Sequence, residues 1–127
     1  MIQTYFHRVG GRAEIPSKNQ KDKKGDVDVI AIFEALKLIV YVQAKFHEPD
    51  SQTDQWAVDQ VNEYISAKGE MKGDDGYNRV AWVVSSAESF DDKCKNSAQS
   101  ADVRLVNGLE FAEMLLDVGI EDLSLSL

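Results

Sequence analysis

The chain alternates between short, β-branched apolar runs and stretches in which apolar residues recur every three or four positions. Two runs dominate the first half, Val27 to Phe33 and Leu38 to Phe46, each with the composition and length of a buried strand. Val80 to Val84 and Val103 to Val106 read as two more strands, and Arg12 to Ile15, closed by Pro16, as a short one. Helical patterns lie between them. Ala57, Val61, Tyr64 and Ile65 fall on one face of a helix from Asp54 to Lys68, with Ser51 or Thr53 placed to cap it. Phe90 to Gln99 predicts a short helix. Leu109 to Val118 predicts another, with Phe111, Ala112, Leu115 and Leu116 facing inward and Asn107-Gly108 as the turn before it. Residues 1–9 read as a helix stopped by Gly10-Gly11. Polar breaks at Ser17 to Gly25, Glu48 to Gln52 and Gly69 to Gly76 separate these elements. The order α–β–β–β–α–β–α–β–α is a β-meander followed by alternating helices and strands. It predicts an α/β fold, a mixed sheet with helices on both faces.

Composition narrows the class. The 127 residues, 43% apolar, suffice for one domain with its own core and are too apolar for disorder. No apolar run reaches the ~20 residues of a membrane-spanning helix, and the N-terminus lacks the basic-then-apolar pattern of a secretory signal. One cysteine, Cys94, and two histidines argue against a disulfide framework or a structural zinc site. The expectation is a cytoplasmic chain with no membrane partner. The net charge of −8 disfavours nucleic-acid binding by bulk electrostatics, but its distribution is uneven. Residues 1–25 carry six basic and two acidic side chains, residues 26–87 five basic and eleven acidic, and residues 88–127 three basic and nine acidic.

The two long apolar runs also carry the candidate chemistry. If Glu34 to Lys37 is a hairpin loop, Phe33 faces Leu38, and counting back sets Asp28 opposite Gln43. A slip of one residue would put those two side chains on opposite faces. Gln43 and Lys45 interrupt an otherwise apolar strand, where a polar residue is costly without a partner. Asp28, the Gln43 amide oxygen and the Ala44 carbonyl form an oxygen set suited to Mg²⁺ or Mn²⁺. Lys45 would stabilise charge on a phosphoryl transition state. Asp26, two residues upstream, is a second-choice ligand.

Gly25-Asp26-Val27-Asp28-Val29-Ile30-Ala31 followed by Val42-Gln43-Ala44-Lys45 resembles the Mrr-type restriction endonuclease domain of the PD-(D/E)xK nuclease superfamily. The later pattern is similar too: Val80-Ala81-Trp82-Val83-Val84-Ser85-Ser86, then Phe90 and Ala98, then Val103-Arg104-Leu105-Val106-Asn107-Gly108. The resemblance covers about residues 9–118. It implies a restriction-endonuclease-like fold and one Mrr-like nuclease domain over residues 1–127, by itself or within a longer protein. It further implies Asp28 as metal-binding Asp, Gln43 in the usual Glu/Asp position, and Lys45 as catalytic Lys. Gln60 and Tyr64 look like the Gln-x-x-x-Tyr motif of RecB-related nucleases, which adjoins the active site. The chain departs from the pattern at Val27, where the eponymous Pro stands in relatives. It also departs in residues 1–9, which offer no Glu where many relatives supply a further ligand. Glu14 is the nearest acidic substitute.

Several residues have secondary claims. His47 is a candidate for contacting phosphate or assisting proton transfer. Lys18, Lys21, Lys23 and Lys24 are candidate DNA-backbone contacts or plain solubilising charge. His7, Cys94, Trp56 and Trp82 read as structural. The leading expectation is a Mg²⁺-dependent DNA endonuclease of restriction or defence type. Nothing in the chain resembles a recognition helix, so specificity would come from a homodimer or a separate recognition domain. One alternative is a catalytically inactive nuclease-fold module used for DNA binding or assembly. Another is a structure-specific nuclease of the Holliday-junction kind, which the acidic charge disfavours.

Overall fold

A computed structural model of the chain describes residues 1–16, 27–46, 52–53, 55–67 and 76–120. The elements run in the order α1 (Ile2–Arg8), β1 (Arg12–Glu14), β2 (Val29–Phe33), β3 (Leu38–Lys45), β4 (Gln52–Thr53), α2 (Gln55–Ala67), β5 (Asn78–Ser85), β6 (Ser89–Phe90), α3 (Asp92–Ala101), β7 (Val103–Val106) and α4 (Gly108–Asp117). Five strands form one mixed sheet in the order β1-β2-β3-β5-β7. The first three make an antiparallel meander, and β5 and β7 add in parallel.

The alternation of each strand sorts side chains to two cores. Tyr41, Ala81, Val83 and Val103 face α2 and α3, packing on Val58, Val61, Ile65, Cys94 and Ala98. Val29, Ala31, Val40, Val42, Val84 and Val106 face α1 and α4, packing on Ile2, Phe6, Phe111 and Leu115. Both crossover helices, α2 and α3, thus lie on one face, as expected when successive parallel strands add in one direction. Trp82 packs among the second set, its ring 5.5 Å from that of Phe6. Among the described residues no helix is long and apolar enough to cross a membrane.

The β2–β3 hairpin has the register expected from the sequence, with Phe33 opposite Leu38 and Val29 opposite Val42. Glu34-Ala35-Leu36-Lys37 contains neither Gly nor Asn. The loop closes with Lys37 at φ 53°, a left-handed conformation that a lysine adopts at some cost.

Four expectations are corrected. Leu116, expected to face inward from α4, is 52% exposed, because the buried side of that helix is set by Phe111 and Leu115. The strand beginning at Val27 starts at Val29, because the chain bends at Asp28. Phe90 belongs to β6, which pairs in parallel with β4 as a small second sheet, so the helix after it starts only at Asp92. Two residues per strand are too few for any periodicity to mark. Asn107-Gly108 is not a free turn: Asn107 caps α4, accepting the Glu110 N–H at 2.9 Å in a capping box. Gly108 is the first helical residue, pressed so close to the loop after β5 that a Cβ would lie 2.6 Å from the Ser86 carbonyl oxygen.

Candidate active site

The candidate residues gather where β2 and β3 part. Ladder pairing ends at Val29 and Val42. Val27 belongs to the core under α2 and α3, whereas Val29 belongs to the opposite core. In an unbroken strand two residues so spaced would share a face, so the bend at Asp28 reverses the pleat. The Asp28 N–H donates to the Val42 carbonyl at 2.8 Å, and the Asp28 carboxylate accepts the Ala44 N–H, also at 2.8 Å. That carboxylate replaces the bond that β2 no longer offers to β3. Asp28 therefore reaches β3 through the backbone of Ala44, in the fork between the strands. It opens onto a cleft beside α1 that Ile2, Gln3, Ala44 and Phe46 also line.

Gln43 lies on the other side of Ala44, in register with Val83 of β5. It is 1% exposed, and neither its Oε1 nor its Nε2 has a hydrogen-bond partner among the described residues. A buried amide in that state costs about 1–3 kcal/mol per unsatisfied group, and native proteins contain few. Lys45 ends β3, paired with Ser85 at the end of β5, and its Nζ stands 3.6 Å from the centre of the Trp56 indole. Ser85 is fully buried and its Oγ accepts the Ala87 N–H at 3.0 Å. The site thus occupies the C-terminal ends of the parallel strands β3 and β5, the usual place for ligands in such sheets.

The remaining candidates sort by position. Gln60 and Tyr64 lie on α2, both half-buried, and the Tyr64 ring centre is 6.3 Å from that of Tyr41 on β3. Glu14 lies on β1, across β2 from the fork, exposed and ion-paired to Arg12 at 2.9 Å. Asp26, His47, Lys18, Lys21, Lys23 and Lys24 fall outside the described residues. Two residues were not singled out from sequence. Gln3 stands in the cleft with Asp28. Trp56, read as core, is 50% exposed and covers Lys45. Its place just off the apolar stripe of α2 was the available signal.

Among the described residues no three His, Cys, Asp or Glu side chains cluster as a metal site. By donor type, the oxygens of Asp28, Gln43 and the Ala44 backbone suit a hard cation such as Mg²⁺, which keeps several waters and needs few protein ligands; the Asp28 carboxylate opens toward α1, while Gln43 alternates along β3 with Tyr41 and Lys45. Such a cation would satisfy the Gln43 Oε1. The two N–H groups on Nε2 remain as donors for an anionic oxygen.

No curated protein matches the chain. Among solved structures it is similar to a repair endonuclease from Pyrococcus abyssi, at 19% identity and a TM-score of 0.57. The likeness covers 84% of this chain but only 42% of that one, so the chain spans less than half its length. At that identity the likeness concerns the fold, which is restriction-endonuclease-like. The family model described as Restriction endonuclease, Mrr_cat, matches residues 1–115, from α1 into α4. With a match running through every strand and the whole fork at Asp28, Gln43 and Lys45, the chain belongs to the Mrr-type restriction endonuclease family and is a nuclease domain.

Proposed function

We propose that this domain hydrolyses phosphodiester bonds in DNA with the help of Mg²⁺ or Mn²⁺, as an endonuclease of restriction or defence type. The observation that carries the reading is Gln43: a buried amide with no hydrogen-bond partner among the described residues, next in the strand to an Ala44 whose N–H Asp28 accepts, and two positions before Lys45. Asp28, Gln43 and Ala44 would hold the cation, which when bound lends positive charge to the phosphate and acidity to a coordinated water. Asp28 also sets the fork, because its carboxylate fixes the Ala44 amide and with it the direction of β3. The Gln43 Nε2 donates to a non-bridging phosphate oxygen. Lys45 stabilises the charge that builds on the phosphoryl group and orients the attacking water, in a site walled by packed strands.

Asp26 and His47 are accessory candidates, and Lys18, Lys21, Lys23 and Lys24 would carry backbone phosphate contacts. Gln60 and Tyr64 back the site from α2. Glu14 is held by Arg12 on the sheet edge and would join only by leaving that pair. Specificity would come from a second copy or a recognition domain. A second reading, a nuclease fold that binds DNA without cutting it, draws on the absence of a three-residue acidic cluster among the described residues.

One assay separates the two. Supercoiled plasmid is incubated with the wild-type chain, Lys45→Ala and Asp28→Ala, with Mg²⁺, with Mn²⁺ and with a chelator. Nicking by the wild type that needs the metal and is lost in both variants is expected. Cleavage by Lys45→Ala at the wild-type rate would remove the proposed mechanism. Metal-independent DNA binding without any nicking would favour the second reading.

A further inference from the structure

Trp56, Gln60 and Tyr64 are spaced four residues apart, so they form one stripe along α2. Beneath the stripe runs β3, whose Tyr41, Gln43 and Lys45 are two residues apart on one side of the strand. From Tyr64 back to Trp56 the helix advances about 12 Å, at 1.5 Å per residue. From Tyr41 to Lys45 the strand advances about 13 Å, at 3.3 Å per residue. The two stripes therefore run in step. Tyr64 meets Tyr41 at one end, Trp56 meets Lys45 at the other, and Gln60 stands at the level of Gln43.

The match explains an otherwise odd residue. The apolar face of α2 is made by Ala57, Val58, Val61 and Ile65, all buried. Trp56 is off that face and half-exposed, yet its ring lies under the Lys45 ammonium at 3.6 Å. An ammonium so close to an indole face is held by the ring quadrupole.

We propose that Trp56 is the positioning residue for Lys45: the indole fixes the ammonium at the mouth of the fork before DNA arrives. This rests on the reading of Lys45 as the cation that faces the scissile phosphate. Lysine is a point charge on a four-carbon stem with many rotamers. A charge that must be found among those rotamers stabilises a transition state less than one already in place. Trp56 touches neither metal nor phosphate in this account. It acts through Lys45, so its removal lowers turnover and leaves DNA affinity nearly unchanged.

The test uses Trp56→Leu, Trp56→Phe and Lys45→Ala, each first checked for a native circular dichroism spectrum. Proton NMR of the wild type should show Lys45 side-chain methylene signals moved upfield by the indole ring current. They should return to ordinary positions in Trp56→Leu. At saturating DNA, Trp56→Leu should lose about 2- to 30-fold in kcat, the range a cation–π contact spans. Trp56→Phe should recover part of that loss. Unshifted Lys45 signals in the wild type would overturn the proposal, as would a wild-type kcat in Trp56→Leu. A loss confined to DNA affinity would also overturn it, pointing to an indole that stacks on a base. The underlying reading fails separately, if Lys45→Ala cleaves normally. If Lys45→Ala is dead and Trp56→Leu normal, only the role of Trp56 falls.

Discussion

Replacing Gln43 with Met should make the protein more stable and inactive. Met is unbranched and close to Gln in length, so it fills the same space in β3 without leaving a cavity. The change removes two polar atoms that are buried with no hydrogen-bond partner among the described residues. Desolvating each costs about 1–3 kcal/mol, and some of that is already offset by packing. A net gain of about 1–3 kcal/mol is the expectation. At roughly 2.1 cal/mol/K per residue, unfolding a chain of this length has an entropy near 0.27 kcal/mol/K, so the melting temperature should rise by about 4–11 °C. Differential scanning calorimetry in chelator reads this directly, and plasmid nicking in Mg²⁺ reads the loss of activity. Mg²⁺ should raise the melting temperature of the wild type and not that of Gln43→Met, because only a state that binds ligand gains by linkage. A melting temperature unchanged or lowered in Gln43→Met would mean that the amide is satisfied in solution. Gln43 would then not be an amide held unsatisfied for function.

Three further perturbations test other parts of the fork and its supports. Asp28→Ala should abolish cleavage and also destabilise the fold by about 1–3 kcal/mol, since the Ala44 N–H loses its acceptor; amide hydrogen exchange at Ala44 should speed up, and Asp28→Asn, which keeps an acceptor oxygen, should restore protection without restoring cleavage. Gly108→Ala should destabilise by about 1–3 kcal/mol in urea unfolding, although Ala is the better helix former, because its Cβ would meet the Ser86 carbonyl; a neutral or stabilising result would show that the loop after β5 gives way easily. Neutralising Lys18, Lys21, Lys23 and Lys24 together should weaken duplex binding and flatten its salt dependence while leaving single-turnover cleavage at saturating DNA unchanged; salt titration of fluorescence anisotropy would expose an unaltered slope.

Much of this architecture was legible in the residues alone. The Val- and Ile-rich runs read at 27–33, 38–46 and 80–84 can be satisfied only by burial in a sheet, and the four-residue spacing from Ala57 to Ile65 only by a helix lying on it. Hairpin register followed from taking Glu34 to Lys37 as the loop, a count that a slip of one residue would have undone and that the structure bears out, with Phe33 opposite Leu38. The polar interruptions at Gln43 and Lys45 were conspicuous for the same reason: they stand where the periodicity demands apolar residues.

The tertiary structure decided what periodicity does not encode. Counting along a regular ladder sets Asp28 simply opposite Gln43. The bend at Asp28 ends the ladder one residue earlier and turns the carboxylate onto the Ala44 amide instead. That depends on how β2 is pulled toward α2 by the burial of Val27, a contact between segments about 30 positions apart. Trp56 shows the same limit. Its side chain is apolar enough to read as core, and only the crossing of α2 over the end of β3 leaves it half in solvent beneath an ammonium. Likewise β4 and β6 exist because their chain segments meet, with two residues each carrying no pattern of their own. Local sequence thus determined which residues must be buried and in which element. Packing between distant segments determined which polar groups were left facing one another at the end of the sheet, because those contacts join positions that no local period connects.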